Sequence, residues 1–400
     1  MKLKVAVLCG GRSGEHEVSL KSAASIIGAL DKEKYEIIPI GITREGTWLS
    51  GEDPLEALSS GKLPGKNKPL FIVPDPRVGG VMWLEEGPLS NKPEGSGSPG
   101  ESNRFSRLSQ SNQPVQSSQL IRTGGAFEKL DVIFPVLHGT YGEDGTVQGL
   151  LELAGIPYVG PGVLGASAGM DKIIMKMIYQ QAGLPIGKYV YFLKREWEEN
   201  RRVWLDRIEE ELGYPCFVKP SNMGSSVGIS RAKGREELSR AVEEAGLWDR
   251  RIVVEENIRG REIEVSVLGN DQPEASVPGE IVPSGDFYDY KAKYIDDRSR
   301  LIIPAELNPR LAARIRDLAI KSFKALDCTG MGRVDFFVDE KEERITINEI
   351  NTIPGFTQVS MYPKLWEASG LSYSQLLDRL IQLAIERFEE KKELKTTFNL

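Results

Sequence analysis

Apolar and polar stretches alternate at the start of the chain in a pattern that predicts an α/β arrangement. Residues 4–9 are apolar and β-branched, which is typical of a buried strand, and residues 10–14 form a glycine-rich turn. Residues 15–30 show helical periodicity, and residues 35–42 have the composition of a second buried strand. A strand, a glycine turn, a helix and a strand in this order predict a parallel sheet.

The same kinds of pattern continue along the rest of the chain. Apolar runs predict strands at 130–137, 216–220, 252–256 and 262–268, and periodicity predicts helices at 167–182, from Asn308-Pro309 onward, and at 371–388. Alternating segments at 332–338 and 345–351 predict a hairpin. Residues 90–119 contain nine serines and few large apolar side chains, so we expect a disordered insertion there, with a specific interaction segment as the alternative.

Composition and charge narrow the range of functions. The 400 residues include 51 Lys or Arg and 58 Asp or Glu, a formal net charge of −7, which disfavours a nucleic-acid or acidic-membrane binder. The three cysteines are widely spaced, and we find neither a membrane-spanning apolar run nor a signal-peptide pattern. We therefore expect a cytoplasmic location. The two histidines are too few for a histidine-rich zinc site.

The most informative polar cluster lies near the C-terminus. If the predicted hairpin pairs symmetrically about position 342, Asp335 lies opposite Glu349 and Arg333 lies opposite Asn351. Facing carboxylates repel by roughly 0.2–1 kcal/mol across a strand pair, so a cation is expected between them. Hard oxygen ligands favour Mg²⁺, which takes its remaining ligands from water and phosphate. A solvated hairpin face is the alternative.

Two lysines are candidate phosphate contacts. Lys219 lies near the end of an apolar strand and precedes a Gly/Ser loop at 224–228, whose backbone amides can surround phosphate oxygens. A plain flexible turn is the alternative for this loop. Lys172 follows Met170-Asp171 early in a predicted helix, where a lysine opposes the helix dipole. An ordinary exposed helical lysine explains Lys172 equally well.

Other polar residues stand at the ends of predicted elements. Glu255 and Glu256 end a strand and Glu262 follows a glycine turn, so they are either ribose contacts or a charged rim. His138 ends a predicted parallel strand, where open α/β folds bind ligands, although a lone histidine is more often structural. Glu15 begins the first helix, where a carboxylate also complements the helix dipole.

Two familiar nucleotide-binding motifs are missing from the sequence. It contains no G-x-x-x-x-G-K-[ST], which excludes a P-loop NTPase. The first turn is not G-x-G-x-x-G, and the second predicted strand lacks the acidic residue that would hold a dinucleotide ribose. A nicotinamide-dependent dehydrogenase is therefore disfavoured.

Taken together, these motifs resemble the D-alanine–D-alanine ligase family of the ATP-grasp superfamily. The segments that carry the resemblance occur in order at 10–19, 138–145, 170–172, 219–228, 287–294, 332–335 and 348–355. The resemblance covers nearly the whole chain outside 90–119. It implies an α/β fold, α+β in parts, with a Rossmann-like N-terminal domain at 1–165. It also implies a central ATP-grasp domain at 166–262. The C-terminal ATP-grasp domain would span 263–400 and carry a mobile lid near 283–300.

The resemblance also implies roles for particular residues. ATP would lie between the central and C-terminal domains, with Mg²⁺ or Mn²⁺ on Asp335, Glu349 and Asn351, and with K⁺ as a further candidate cofactor. The implied nucleotide contacts are Lys172, Lys219, Glu255, Glu256, Ile258, Glu262, Phe287, Lys293 and Asn351. The implied substrate contacts are Glu15, His138, Arg333, Gly355 and Ser360. The implied catalytic residues are Glu15, Ser225, Tyr294, Arg333 and Ser360.

Within this set, the resemblance distinguishes several functions. Glu15 would hold the ammonium group of the first D-alanine, and Ser225 and Tyr294 would form a hydrogen-bonded trio with it. Arg333 and the Gly355 amide would stabilise a tetrahedral intermediate, and Ser360 would lie at the carboxylate of the second D-alanine.

The activity implied by the resemblance is the ATP-dependent ligation of two D-alanine molecules for peptidoglycan precursor synthesis. The reaction would pass through an acyl phosphate and release ADP and phosphate. By the same resemblance, the presence of Tyr294 indicates D-alanine rather than D-lactate as the second substrate. A D-alanine–D-lactate or other amino-acid ligase is the nearest alternative, and a catalytically silent nucleotide-binding protein is another. The family also implies a homodimer that acts on small molecules.

Overall fold

The computed structural model describes residues 2–51, 54–60, 67–83, 127–282, 300–357 and 359–395, and these residues form three β-sheets with helices packed against them. The predicted insertion at 90–119 lies outside the described residues. So do the predicted lid up to position 299 and, within it, Phe287, Lys293 and Tyr294. Among the described residues, no helix combines the length and the apolar character that crossing a membrane requires.

The first sheet contains the predicted parallel strands. Its strands are β1 (Leu3–Gly10), β2 (Tyr35–Ile42), β3 (Trp48–Ser50), β4 (Lys68–Ile72), β5 (Gly80–Trp83), β6 (Phe127–Lys129) and β7 (Val132–Pro135), in the order β6-β5-β4-β3-β2-β1-β7. Helices α1 (His16–Ala29), α2 (Pro54–Ser60) and α3 (Thr146–Ala154) accompany it. Strand β1 runs parallel to both β2 and β7, which confirms the predicted parallel opening. Because β1 is covered on both faces, its residues from Val5 to Cys9 are all buried, as a continuous apolar run requires.

The second sheet is antiparallel. It comprises β8 (Tyr189–Leu193), β9 (Cys216–Pro220), β10 (Ser230–Ala232) and β11 (Arg251–Glu256) in the order β10-β9-β11-β8. Helices α4 (Val163–Met170) and α5 (Lys172–Gln181) precede it, and α6 (Lys194–Glu211) and α7 (Arg235–Ala245) connect its strands. The single helix predicted at 167–182 is wrong, because Asp171 has extended backbone angles and caps α5 by accepting from the amides of Ile173 and Ile174.

The third sheet carries the predicted hairpin. Its strands are β12 (Arg261–Gly269), β13 (Glu274–Ala275), β14 (Gly279–Val282), β15 (Arg300–Ile302), β16 (Gly330–Asp339) and β17 (Arg344–Asn351), ordered β15-β14-β12-β16-β17 with β13 paired to β12. Helices α8 (Pro309–Ala325), α9 (Met361–Ala368) and α10 (Tyr373–Lys392) follow in the same part of the chain. Asn308 caps α8 by accepting from the amide of Arg310, which confirms the predicted helix start.

The last helix returns to the first sheet. Leu376, Leu380 and Ile381 of α10 are fully buried in one apolar cluster with Val5 of β1 and Phe134 of β7. This packing places the segment between β17 and α9 against the carboxyl ends of β1 and β7. Since ligands of open parallel sheets bind at that edge, the fold brings C-terminal side chains to an N-terminal site.

Candidate active site

The β16–β17 hairpin brings the predicted metal-binding residues together. Asp335 pairs with Glu349 and Arg333 pairs with Asn351, which confirms the predicted register at these positions. On the far side of Asp335 the register shifts by one residue, so the symmetric pairing does not extend to the end of the hairpin. A bulge of this kind bends a strand locally and is frequent beside functional sites.

The hairpin side chains are engaged with one another. Arg333 donates from Nε and Nη2 to the two carboxylate oxygens of Asp335, at 2.7 Å each, and Asn351 Nδ2 donates to Asp335 Oδ2 at 2.9 Å. Lys172 Nζ lies 3.9 Å from Glu349 Oε2. The two facing carboxylates are therefore each beside a cation, which relieves the repulsion expected between them.

The hairpin side chains can supply some of the oxygen ligands of a divalent cation, and the remaining ligands would have to come from elsewhere. Among the described residues, no group of three or more His, Cys, Asp or Glu side chains is placed to hold a metal ion. Asp335 and Glu349 contribute carboxylates, and the Asn351 amide oxygen remains available because its nitrogen faces Asp335. Oxygen donors of this kind suit Mg²⁺, which commonly keeps waters and phosphate oxygens in its shell.

A buried charge cluster lies on the neighbouring sheet. Glu255 of β11 accepts from Lys219 Nζ at 2.9 Å and lies 3.2 Å from Lys176 Nζ. Burial raises the pKa of Glu255, but the two lysines outweigh it and hold the pKa at about 2. Burial lowers the pKa of Lys219, and the charges of Glu255 and Glu349 more than compensate, so its pKa is raised.

Lys176 and Glu264 belong to the site but were not among the residues predicted from the sequence. Lys176 follows Lys172 by one helical turn on the buried side of α5. A second lysine on an apolar helix face is the sequence feature that could have indicated it. Glu264 of β12 is buried opposite Asp335, with its Oε2 2.9 Å from Arg333 Nε. No local pattern marks Glu264, because its partner belongs to a strand about seventy positions further along the chain.

The other predicted nucleotide contacts are spread along the second and third sheets. Glu256 Oε1 accepts from the amide of Lys188 at 2.7 Å, and Ile258 packs over Gly187. Glu262 lies on β12 opposite Phe337. Of the predicted nucleotide contacts that the structure describes, Lys172 and Asn351 line a cleft that Glu15 and Arg333 also line, whereas Lys219, Glu255, Glu256, Ile258 and Glu262 do not.

Glu15 occupies a tight polar niche at the start of α1. It is buried, and the Ser225 hydroxyl of the Gly/Ser loop donates to its Oε1. A Cβ at Gly139 or at Gly224 would lie 2.5 or 2.8 Å from Glu15 Oε2, so side chains are excluded at both positions. The predicted contact between Glu15 and Ser225 is confirmed, while Tyr294, the third member of the predicted trio, lies outside the described residues.

His138 faces the loop that follows β17. Its Nδ1 lies 3.0 Å from the Ile353 carbonyl oxygen and its Nε2 lies 3.4 Å from Ser22 Oγ. Burial lowers the pKa of His138, against the opposing effect of the Glu15 carboxylate, so the ring is neutral at pH 7. Since the carbonyl can only accept, Nδ1 carries the proton.

Gly355 and Ser360 lie together in the same loop. A Cβ at Gly355 would lie 2.8 Å from Ser360 Oγ, so glycine permits this close approach. Ser360 Oγ accepts from the amide of Thr357 at 3.0 Å. The hydroxyl is thereby held beside Gly355.

Many of these groups converge on one cleft with a cavity volume of about 150 Å³. Side chains from each of the three sheets and their adjoining loops line it, including Glu15, His138, Lys172, Ser225, Arg333, Glu349, Asn351, Gly355 and Ser360. The lining includes a carboxylate suited to an ammonium group, an arginine, and a lysine beside the Glu349 carboxylate, groups that suit phosphates and a cation. Such a cleft can join a small amino acid to a nucleotide phosphate.

Two antiparallel sheets that carry the lysines and the carboxylate hairpin, next to an N-terminal α/β sheet whose central strands are parallel, define an ATP-grasp ligase. Residues 4–161 match the family described as "D-ala D-ala ligase N-terminus", and residues 178–382 match "D-ala D-ala ligase C-terminus". The chain therefore belongs to the D-alanine–D-alanine ligase family, whose members are ADP-forming ligases that use ATP and a divalent metal.

Individual relatives match over nearly their full lengths. A D-alanine–D-alanine ligase of Natranaerobius thermophilus is 51% identical over 398 residues, which is 100% of this chain and 99% of that protein. One of Bacillus cytotoxicus is 50% identical over 396 residues, 99% of each chain. Among solved structures, the VanG D-Ala:D-Ser ligase of Enterococcus faecalis superposes with a TM-score of 0.78 at 35% identity, covering 96% of this chain and 100% of that one. The D-alanine–D-alanine ligase of Coxiella burnetii gives 0.76 at 35% identity and 98% coverage of both.

Proposed function

We propose that this protein ligates two D-alanine molecules to D-alanyl-D-alanine, with conversion of ATP to ADP and phosphate. The observation that carries the proposal is the single cleft that joins the Glu15 niche to Arg333 and to the carboxylate hairpin. Full-length similarity to D-alanine–D-alanine ligases supports the choice of substrate. The product would serve peptidoglycan precursor synthesis.

The first half-reaction activates a carboxylate. Glu15 binds the ammonium group of the first D-alanine as a buried counter-charge. The carboxylate of that D-alanine attacks the γ-phosphorus of ATP, and ADP leaves as an acyl phosphate forms. Lys172 and Lys219 neutralise phosphate oxygens, on which negative charge accumulates during the transfer.

The second half-reaction forms the peptide bond. The deprotonated amine of the second D-alanine attacks the acyl carbon, and phosphate leaves. Arg333, held by Asp335 and lying beside Glu264, is a fixed donor for the oxyanion, and the Gly355 amide is a second donor. Ser360 binds the carboxylate of the incoming substrate.

The proposal assigns a divalent cation to Asp335, Glu349 and Asn351. Mg²⁺ or Mn²⁺ at these oxygens supplies charge neutralisation for the transferring phosphoryl group. We include K⁺ as a candidate activator from family resemblance. Phe287 and Lys293 are proposed nucleotide contacts from the same source, and Tyr294 a proposed partner of Ser225 and Glu15.

We also propose a domain organisation, an oligomeric state and a cellular location for the enzyme. We assign the N-terminal, central and C-terminal domains to 1–165, 166–262 and 263–400, and we place the enzyme in the cytoplasm as a homodimer. The sheets support these divisions in part: the strands of the first two sheets fall within 1–165 and 166–262, whereas β12 of the third sheet begins at Arg261, just before the proposed boundary.

The test is phosphate release and dipeptide formation with ATP, Mg²⁺ and one acceptor at a time. D-alanine should give both products, while L-alanine, the matched control, should give neither. Preference for D-lactate, or for D-serine as in the name of the VanG relative, would replace the proposed substrate. ATP binding without turnover on any acceptor would identify a catalytically silent protein instead.

A further inference from the structure

Three buried side chains of the N-terminal region hydrogen-bond to the backbone of the loop that contains Gly355. Glu143 Oε1 accepts from the Ile353 amide at 3.2 Å, and His138 Nδ1 donates to the carbonyl of the same residue at 3.0 Å. Ser22 Oγ accepts from the Phe356 amide at 3.2 Å. We refer to Ser22, His138 and Glu143 as the anchor residues.

Two of the anchor residues also hydrogen-bond to each other. Because His138 Nδ1 carries its proton toward a carbonyl, Nε2 is the acceptor, and the Ser22 hydroxyl donates to it. The second oxygen of Glu143 accepts from the Gly139 amide at 2.7 Å. Ser22 has no exposed surface, and His138 and Glu143 are buried except where they line the cleft, so water has little access to these hydrogen bonds.

The buried carboxylate of Glu143 is costly. Burial and the charge of Glu15 raise its pKa. Each of its two oxygens nevertheless accepts a hydrogen bond from one backbone amide, and these two bonds favour the ionised carboxylate. A glutamine would turn its NH₂ group toward one of the two amide donors.

Glu143 connects the surroundings of Glu15 with the loop that contains Gly355. Gly139, which it holds, packs against the Glu15 carboxylate, and Ile353, which it also holds, lies two residues before Gly355. We propose that Glu143 is a positioning residue for the ligase reaction: it fixes the 353–355 backbone relative to the Glu15 niche, so that the Gly355 amide is in place when the oxyanion forms. This proposal rests on the proposed function.

The experiment compares Glu143→Gln with Asp144→Asn. Asp144 is the adjacent carboxylate, and it accepts from the amides of Tyr141 and Thr146 within its own loop. We expect kcat of the Glu143 variant to fall by about 10²-fold, the typical effect of misplacing a catalytic group by ~1 Å. KM for ATP should stay near the wild-type value, since Glu143 hydrogen-bonds to Gly139 and Ile353 and to none of the proposed nucleotide contacts among the described residues. The Asp144 variant should keep a near-wild-type kcat.

A second variant covers the case in which Glu143→Gln does not fold. Ser22→Ala removes a small hydroxyl and should reproduce the selective loss of kcat, because it releases the Phe356 amide from the same loop. A wild-type kcat in either folded variant overturns the proposal. So does an equal loss of kcat in Asp144→Asn, or a loss confined to ATP affinity. Failure of the proposed function is distinct, since the wild-type protein itself would then form no dipeptide.

Discussion

Replacing Glu255 with glutamine tests the buried charge cluster on the second sheet. The glutamate carboxylate lies between Lys176 and Lys219, at 3.2 and 2.9 Å from their ammonium nitrogens. Both lysines are buried, so Glu255→Gln leaves two positive charges in a desolvated site without this counter-charge. The protein should therefore become less stable, although the side-chain volume hardly changes.

The pKa of Glu255 sets the size of the effect. A pKa held at about 2 instead of the ordinary 4.5 corresponds to about 3 kcal/mol of stabilisation at pH 7. The folded-state pKa is lowered, so this stabilisation is present above pH 4.5 and is lost as the pH falls through 2. The value agrees with the roughly 3–5 kcal/mol cost of removing one partner from a buried ion pair.

Urea unfolding of the nucleotide-free proteins measures the difference in free energy of unfolding between wild type and Glu255→Gln. The matched control is Glu243→Gln, which removes an exposed ion pair with Arg201 and should cost less than about 1 kcal/mol. The difference in free energy of unfolding between wild type and Glu255→Gln should also become smaller when the pH is lowered from 4.5 towards 2. Equal stability of the two proteins at pH 7, or a gap that does not depend on pH, would refute the reasoning.

Two further substitutions test the cleft. Arg333→Ala should lower kcat by about 10²–10³-fold while ATP affinity is retained, because it removes an oxyanion donor and leaves the lysines in place; loss of ATP binding, measured by calorimetry, would contradict this role. Gly224→Ala places a Cβ 2.8 Å from Glu15 Oε2 and should lower kcat/KM for D-alanine by up to about 10²-fold. Gly149→Ala, where nothing lies within 4 Å of the added Cβ, should behave as wild type, and equal activity of both glycine variants would disprove the steric argument.

Elements with strong local patterns could be predicted from the sequence. The opening strand and helix were expected at 4–9 and 15–30 and are observed at Leu3–Gly10 and His16–Ala29. Alternation along the hairpin was sufficient to place Asp335 opposite Glu349. The register is local information, because a short polar turn joins the two strands.

Other elements depended on contacts that no local pattern records. Asp171 ends α4 because its side chain caps α5 and accepts from Ser221, just after β9, and from Arg251 at the start of β11. The short strands β3 to β6 have three to five residues each, too few for a periodic pattern to stand out.

The amino-acid sequence by itself determined which residue types were available for the chemistry: a strand lysine, an acidic hairpin with its arginine, and glycines beside Glu15. These follow from periodicity and from side-chain chemistry, both of which act over a few residues. Only the tertiary structure decided their partners. Glu143 reaches Ile353 across 210 positions, and Leu376 of the last helix is buried with Val5 of the first strand. Such pairings result from burying apolar faces and satisfying buried polar groups over the whole chain, which no single segment specifies.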